Sequence, residues 1–195
     1  MNDFIFYFKE GWFHIMSADA TDHLLFITAL AVIHSFKAWK KVLVLVTSFT
    51  IGHAITLYLS ALEKVHFPTE TVEFAIPCTI VLTALLNLVT KGGGDERTKR
   101  IQYPFALIFG LIHGMGYANY IRMMLSKDQH FVLGLFSFNV GLEFGQIFVV
   151  LLILLISWLM TRNKLVSQRV LVILVSLVIM GFSLQIAIAR FQYLP

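Results

Sequence analysis

The sequence predicts an all-α integral membrane protein, a bundle of six transmembrane helices with an N-terminal interfacial segment. Hydrophobic residues make up 58% of the 195 residues and charged residues only 13%, whereas about 25% of a typical soluble domain is charged. Six apolar segments each approach the ~20 residues that a helix needs to cross the hydrocarbon core. Short loops with charges or glycines separate these segments. We therefore expect one transmembrane domain over residues 1–195.

The six predicted helices cover about residues 23–36, 42–62, 72–90, 103–123, 131–160 and 170–189. The first is short, so either the preceding turn extends it or the bilayer thins around it, and the long fifth should tilt or project. Residues 1–20 are rich in aromatic side chains, which favours a segment at the headgroup level. Three histidines near the ends of the helices, His34, His66 and His130, are expected to be interfacial or solvated.

Basic residues indicate the orientation of the bundle. Ten of the 15 lysines and arginines fall in the loops after the first, third and fifth predicted helices. The positive-inside rule then places both termini outside, in a protein of the bacterial cytoplasmic membrane. The same distribution accounts for the net charge of +4 without a nucleic-acid partner. Cys78 is the single cysteine, which excludes an intrachain disulfide.

Three ionisable side chains are predicted deep inside the membrane: His53, His113 and Glu143, on the second, fourth and fifth helices. Their distances in sequence from the outer helix ends correspond to depths of about 13, 15 and 18 Å at 1.5 Å per residue. Each such group costs about 2.5–3.5 kcal/mol in lipid, so it needs a partner or a function. A protonated glutamic acid held in the core is the structural alternative for Glu143. The polar neighbours on the same helices are Thr50, Asn139 and Gln146.

A second polar group is predicted at the outer rim. Asp22 and His23 begin the first predicted helix, Asp19 precedes them, and His14 lies upstream. Glu73 opens the third helix at the same level. One aspartate can cap the helix while another orients His23, so capping and metal binding are compatible there.

The two groups together predict one site in the outer half of the bilayer. The helices alternate in direction, yet the depths of their polar residues agree within about one helical turn. Imidazole, carboxylate and amide ligands together suit a divalent transition metal such as Ni²⁺, Co²⁺ or Zn²⁺. The same set of groups could also form a proton relay.

Four motifs resemble those of a known family. They are H-I-x(6)-D-H-L-L-F from His14, T-x-G-H-A-I-T-L from Thr50, F-G-L-I-H-G-M-G-Y-A from Phe109 and F-N-V-G-L-E-F-G-Q from Phe138. In this order, over about residues 10–160, they resemble the second branch of the HupE/UreJ family, small polytopic proteins regarded as nickel or cobalt permeases. The resemblance implies metal ligands at His14, Asp22, His23, His53, His113 and Glu143. Ala20 departs from the family, where a glycine is common.

Three functions are compatible with these patterns. The leading hypothesis is a permease in which the rim residues receive a divalent ion and the deep residues pass it inward. Asp19, Thr50, Glu73, Asn139 and Gln146 would support the ligands. No G-x(4)-G-K-[ST] motif is present, so an ion gradient or a partner would have to supply the energy.

The alternatives are an intramembrane metal-dependent hydrolase and an accessory subunit without enzymatic activity. In the hydrolase, histidines would hold Zn²⁺ and Glu143 would act as the general base. The accessory subunit would dock beside another membrane protein or a second copy of this chain, with membrane lipid as its other partner. The sequence contains no H-E-x-x-H motif, which disfavours a protease.

Overall fold

A computed structural model describes residues 3–17, 20–65, 67–90, 96–125 and 131–194. Three residues discussed above, Asp19, His66 and His130, lie outside the described residues, and the expectations about them stay predictions. The glycines of the loop 91–95 lie outside them as well.

Helices make up nearly all of the described chain, in which no strand occurs. They are α1 (Asp3–Met16), α2 (Thr21–Val32), α3 (Trp39–Ala61), α4 (Thr69–Val89), α5 (Glu96–Leu125), α6 (Phe131–Arg162) and α7 (Gln168–Phe191), with a 3₁₀ turn at Phe36–Ala38. The predicted all-helical class is confirmed. The predicted count of six is not, because the described residues form seven α-helices.

Several of these helices are suited to a lipid bilayer. Among the described residues, α3, α4, α6 and α7 are long and apolar enough to cross a membrane. The short helices α1 and α2 meet at 72° and qualify as a fifth crossing if they count as one bent unit. The chain is therefore an integral membrane protein.

The longer helix α5 does not qualify by composition, but it packs closely along α3. The backbone of Gly52 faces Leu107 and Leu111, Gly110 faces Phe49, and Gly114 faces His53. Residue numbers rise together along this contact, so the two helices run in the same direction at the same depth. Small residues permit such a close approach between membrane helices.

The predicted interfacial segment is not confirmed, because its residues form α1, which packs lengthwise against α6. Gly141 of α6 faces the carbonyl oxygen of Phe8, and Gly145 faces Trp12 and Ile15. The numbers again rise together, so α1 follows α6 from the end near Phe131 toward the middle of the bundle. The glycines of α6 leave room for a second backbone, and this overrides the headgroup preference of the aromatic residues of α1.

Two apolar clusters enclose α2. One includes Ile15, Phe138 and Leu142, and the other includes Phe26 and Phe49. The expectation that His34 is interfacial or solvated is wrong, since its side chain is 3% exposed. It follows Val32 and Ile33, which pack against α7, and this packing draws the end of α2 into the bundle.

Candidate metal site

Three histidines converge where α1 gives way to α2. His14 lies in the last turn of α1, His23 in the first turn of α2 and His53 within α3. One ring nitrogen of each lies within 4.8 Å of those of the other two. His23 and His53 are buried. Three helices thus supply a compact set of imidazole donors.

The spacing of these nitrogens is close to that of a metal site. Bonds of 2.0–2.1 Å in a tetrahedral site require nitrogens about 3.4 Å apart. The most distant pair, within 4.8 Å, would have to approach by up to about 1.4 Å on binding, which side-chain rotation can provide. The arrangement can hold a divalent ion through three imidazoles and leave a position open for water or a fourth ligand.

Asp22 sets the tautomer of His23. Its Oδ1 accepts the backbone N–H of His23 at 2.8 Å and lies 3.1 Å from the Nδ1 of that ring. An ionised carboxylate can only accept, so Nδ1 carries the proton and Nε2 carries the lone pair. That Nε2 is buried without a hydrogen-bond partner. A carboxylate that orients a ligating histidine is common at metal sites.

Thr79 does the same for His113. The Thr79 hydroxyl donates to the carbonyl oxygen of Ile76 at 2.7 Å and lies 3.2 Å from His113 Nε2. The hydroxyl has one hydrogen, so it must accept from Nε2–H, and Nδ1 of His113 then carries the lone pair. This Nδ1 is also buried without a partner. The His113 and His23 rings lie 5.2 Å apart, so His113 borders the three-histidine group.

Polar atoms without partners concentrate around this group. Both ring nitrogens of His53 and the Nε2 of His14 are buried with no hydrogen-bond partner. Asn139 faces the His53 ring without meeting hydrogen-bond geometry, and its Oδ1 is likewise unpaired. Buried polar groups normally have partners, so this concentration points to a site that binds an ion or water.

Glycines bring the backbones of α3 and α5 together at the site. A Cβ on Gly114 would lie 2.6 Å from the carbonyl oxygen of His53, and one on Gly110 would collide with the carbonyl oxygen of Phe49. Because His113 precedes Gly114, this contact places its ring beside α2 and α3. The glycines of these motifs therefore allow the two backbones to come close, and this closeness brings the histidine rings of the same motifs together.

Aromatic side chains wall the site, and sequence reasoning missed them. Phe49 packs against the rings of His23, His53 and His113 at 5.9, 6.1 and 5.1 Å. Tyr117 lies 4.0 Å from the ring of His14. Tyr117 could have been found from spacing, since it follows His113 by one turn on the same helix face. Nothing in the sequence pairs Thr79 with His113.

Glu143 lies with hydroxyl groups and is not hydrogen-bonded to a histidine in the described part of the chain. Thr47 donates to its Oε1, Thr50 donates to its Oε2, and Thr50 also lies 2.8 Å from Gln146 Oε1. Its side chain is half-buried at the α3–α6 contact. The structure thus brings Glu143 next to Thr50 and Gln146, as their shared depth predicted, but beside the histidine group rather than within it.

The remaining rim residue, Glu73, is exposed on α4, and its backbone oxygen accepts from Arg190 at 2.8 Å. Asp22 is not the N-cap of α2, because Ala20 occupies that position without a side-chain cap. The carboxylate of Asp22 is used instead to orient His23.

Comparison with known protein families identifies the family of the chain. A model of the HupE/UreJ protein family matches residues 1–190 of the chain. The chain belongs to the HupE/UreJ family. No curated protein and no solved structure matches it significantly. In this HupE/UreJ protein, the match spans all the helices that carry the histidine group.

Proposed function

We propose that this HupE/UreJ protein is a permease for a divalent transition metal, nickel or cobalt, in the bacterial cytoplasmic membrane. The observation that carries the proposal is the convergence of His14, His23 and His53 within 4.8 Å at a break between two helices. The association of the family with nickel and cobalt transport supports it. Both termini would lie outside the cell.

The chemistry of the donors suits such an ion. Neutral imidazoles bind Ni²⁺, Co²⁺ and Zn²⁺ and discriminate against Mg²⁺ and Ca²⁺, which prefer oxygen ligands. His113 is the fourth donor, with its Nδ1 lone pair directed by Thr79. Asp22 acts as the residue that orients His23, and Asn139 as a polar neighbour of His53. Glu73, which is exposed on α4, is left out of the proposed site.

The break between α1 and α2 supports transport rather than permanent binding. Discontinuous membrane helices form the ion sites of many transporters, because short half-helices can rearrange around a bound ion. His14 and His23 lie on the two sides of the break, so a change in the angle between α1 and α2 would separate two of the three donors. Release would follow from that separation.

Glu143 is proposed as a counter-charge, not as a ligand. It lies beside Thr50, one turn from His53 on α3. A carboxylate in this low-dielectric position lowers the energy of a divalent cation at the histidine group. The contacts with Thr47 and Thr50 hold its oxygens in place.

The hydrolase alternative has less support. A catalytic zinc with three protein ligands needs a general base near the bound water. Among the described carboxylates, Asp22 is hydrogen-bonded to Nδ1 of His23, and Glu143 accepts hydrogen bonds from the hydroxyls of Thr47 and Thr50. Neither carboxylate is hydrogen-bonded to the unpaired ring nitrogens of His14, His23 and His53, where a metal and its water would bind.

The first experiment is the metal content of the purified protein after incubation with Ni²⁺ and washing. We expect about one nickel per chain in the unmodified protein and in Glu70→Gln, which removes an exposed carboxylate from the outer end of α4. His23→Ala and His53→Ala should each lose the bound metal, because each removes one of three donors.

The second experiment is Ni²⁺ flux into proteoliposomes. We expect saturable uptake that falls at least tenfold in His53→Ala. Bound nickel without flux in the unmodified protein would exclude a permease, and retention of both bound metal and flux in the two histidine variants would exclude this site.

A further inference from the structure

A groove of about 390 Å³ lies between the 3₁₀ turn and α6, away from the histidine group. It is lined by Ser35, Phe36, Lys37, Leu155 and Trp158. The side chains of Phe36 and Leu155 are 40% and 41% exposed, so the groove opens at the surface of the helix bundle. Its volume falls within the range of about 300–1,000 Å³ that is usual for small-molecule sites.

The groove lies at the end of the bundle where α2 and α6 end and α3 and α7 begin. The side-chain amide of Gln168, the first residue of α7, donates to the carbonyl oxygen of Val32 in the last turn of α2 at 2.9 Å. Trp39 begins α3 and is 39% exposed, and Trp158 lies in the last two turns of α6. Tryptophan is enriched where the headgroups meet the acyl chains. The groove is therefore expected at this level of the bilayer.

A guanidinium group is stacked beside this groove. The ring of Trp158 lies 6.1 Å from that of Phe36, and the guanidinium carbon of Arg162 lies 4.7 Å from the centroid of the Trp158 ring. A guanidinium stacked on an aromatic face keeps the N–H donors in its own plane available to a phosphate. Arg162 is exposed, and it forms no ion pair with a carboxylate in the described part of the chain.

The two segments that flank the groove carry charge of one sign. Residues 32–45 and 153–171 contain no aspartate or glutamate, and their basic residues are Lys37, Lys40, Lys41, Arg162, Lys164 and Arg169. Lys37 lines the groove itself, and a lysine stem can lie along apolar surface while its ammonium group reaches water or a headgroup. An apolar groove with cations at one end is complementary to a lipid with an anionic headgroup.

We propose that this groove binds one anionic phospholipid, with an acyl chain along Phe36, Leu155 and Trp158 and its phosphate held by Lys37 and Arg162. A small soluble anion would leave the apolar lining uncovered, and a zwitterionic lipid has no net charge to attract the cations. The bound lipid would bridge the 3₁₀ turn and α6 and so hold the connection between α2 and α3. The proposal goes beyond the proposed metal transport and requires no metal.

Tryptophan fluorescence tests the preference for an anionic headgroup. The chain has three tryptophans, so Trp12→Phe combined with Trp39→Phe leaves Trp158 as the only one that fluoresces. This protein is reconstituted in vesicles of nine parts phosphatidylcholine to one part phosphatidylglycerol. The acyl chains that quench fluorescence, which are brominated, are carried either by the phosphatidylglycerol or by an equal amount of the phosphatidylcholine. We expect brominated phosphatidylglycerol to quench Trp158 at least threefold more strongly than brominated phosphatidylcholine.

Charge variants in the same background separate a defined site from a diffuse attraction. Lys37→Gln and Arg162→Gln should each abolish the preference, because each removes a cation that holds the phosphate. Lys164→Gln is the control, since it removes one exposed charge from the turn after α6, and it should keep the preference. Equal quenching by the two lipids in the parent protein, or the same loss of preference in Lys164→Gln as in the other two variants, would overturn the proposal.

Filling the groove tests the place of the acyl chain. Leu155→Trp puts a larger side chain into the groove, and Leu177→Trp on α7 is the matched control, because Leu177 is 47% exposed and does not line it. Native mass spectrometry in detergent with added phosphatidylglycerol should show one retained lipid on the unmodified protein and on Leu177→Trp, and none on Leu155→Trp. A lipid retained by Leu155→Trp would overturn the proposal. Nickel binding should be equal in all three, so either proposal can fail without the other.

Discussion

At the scale of single residues, two side chains that accept a hydrogen bond from a ring N–H decide which histidine nitrogens can bind a metal. Asp22 accepts a hydrogen bond from Nδ1–H of His23, and Thr79 accepts one from Nε2–H of His113. In both rings, the remaining nitrogen is buried without a partner. Substitution of either orienting residue, Asp22 or Thr79, should therefore change metal affinity although the ligating histidines are unchanged.

Thr79→Val should weaken Ni²⁺ binding by about 10–100-fold, the usual effect of removing a residue that orients a ligand. The methyl group cannot accept from His113 Nε2–H, so the ring is free to turn. Thr161→Val is the matched control, because the Thr161 hydroxyl bonds only carbonyl oxygens of its own helix. Thr79→Ser should restore affinity. Calorimetric titration with Ni²⁺ measures the effect, and an unchanged Kd in Thr79→Val would remove His113 from the site.

Asp22→Asn should weaken Ni²⁺ binding less than Asp22→Ala does. The amide oxygen of asparagine can still accept from His23 Nδ1–H but lacks the charge that raises the basicity of the ring. We expect affinities in the order unmodified, Asp22→Asn, Asp22→Ala, by equilibrium dialysis. If Asp22→Asn is the weaker of the two variants, the carboxylate contacts the ion directly instead of through His23.

At the scale of helix pairs, glycines determine where the histidines lie. Gly52, Gly110 and Gly114 form the α3–α5 contact, and Gly141 and Gly145 form the α1–α6 contact. In both helix pairs, a histidine lies within a few residues of the glycine contact. The close approach of the two backbones at the glycines therefore fixes the position of the histidine ring.

Gly114→Ala should destabilise the protein by about 1–3 kcal/mol, the range for overpacking of a filled contact. Its Cβ would lie 2.6 Å from the carbonyl oxygen of His53 and 3.1 Å from the Cβ of Thr56. Gly181→Ala is the control, since nothing lies within 4 Å of a Cβ there, and it should be neutral or slightly stabilising. Thermal unfolding in detergent compares them; equal melting temperatures would contradict the close α3–α5 contact.

Gly141→Ala should act on the metal site through α1. Its Cβ would collide with the carbonyl oxygen of Phe8, which pushes α1, and with it His14, away from α6. We expect nickel affinity to fall as in His14→Ala, and the double variant to be no weaker than either single one, because the two changes remove the same ligand. Fully additive losses would show that Gly141 affects the site by another route.

At the scale of the whole molecule, the number of crossings sets the positions of the termini. Among the described residues, four helices are long and apolar enough to cross a membrane, or five crossings if the α1–α2 pair counts as one; the six crossings predicted from the sequence require α5 as well. An even number places both termini on the same side. The parallel contact of α5 with α3 supports its inclusion, although its composition alone does not.

In a Cys78→Ala background, Asp3→Cys and Gln192→Cys should both react with an impermeant maleimide on intact cells. Lys164→Cys, in the exposed turn between α6 and α7, should react only after permeabilisation. Mass spectrometry of the labelled chain reads all three. Reaction of only one terminus on intact cells would mean an odd number of crossings.

The sequence alone determined the class of the molecule and pointed to most residues of the candidate site. Apolar segments and charge distribution predicted membrane helices, because transfer into lipid depends on composition over a helix length and not on neighbouring segments. The rarity of polar groups in such segments singled out His53, His113 and Glu143. The four motifs predicted the family that the comparison then showed.

Tertiary structure decided how these residues meet. That α1 packs against α6 depends on glycines that face each other's backbones, a match between distant segments that no local pattern contains. The pairing of Thr79 with His113, the placement of Glu143 among threonines and the burial of His34 likewise depend on which helix faces turn toward each other. Helical periodicity specifies a face, but only packing specifies what that face contacts.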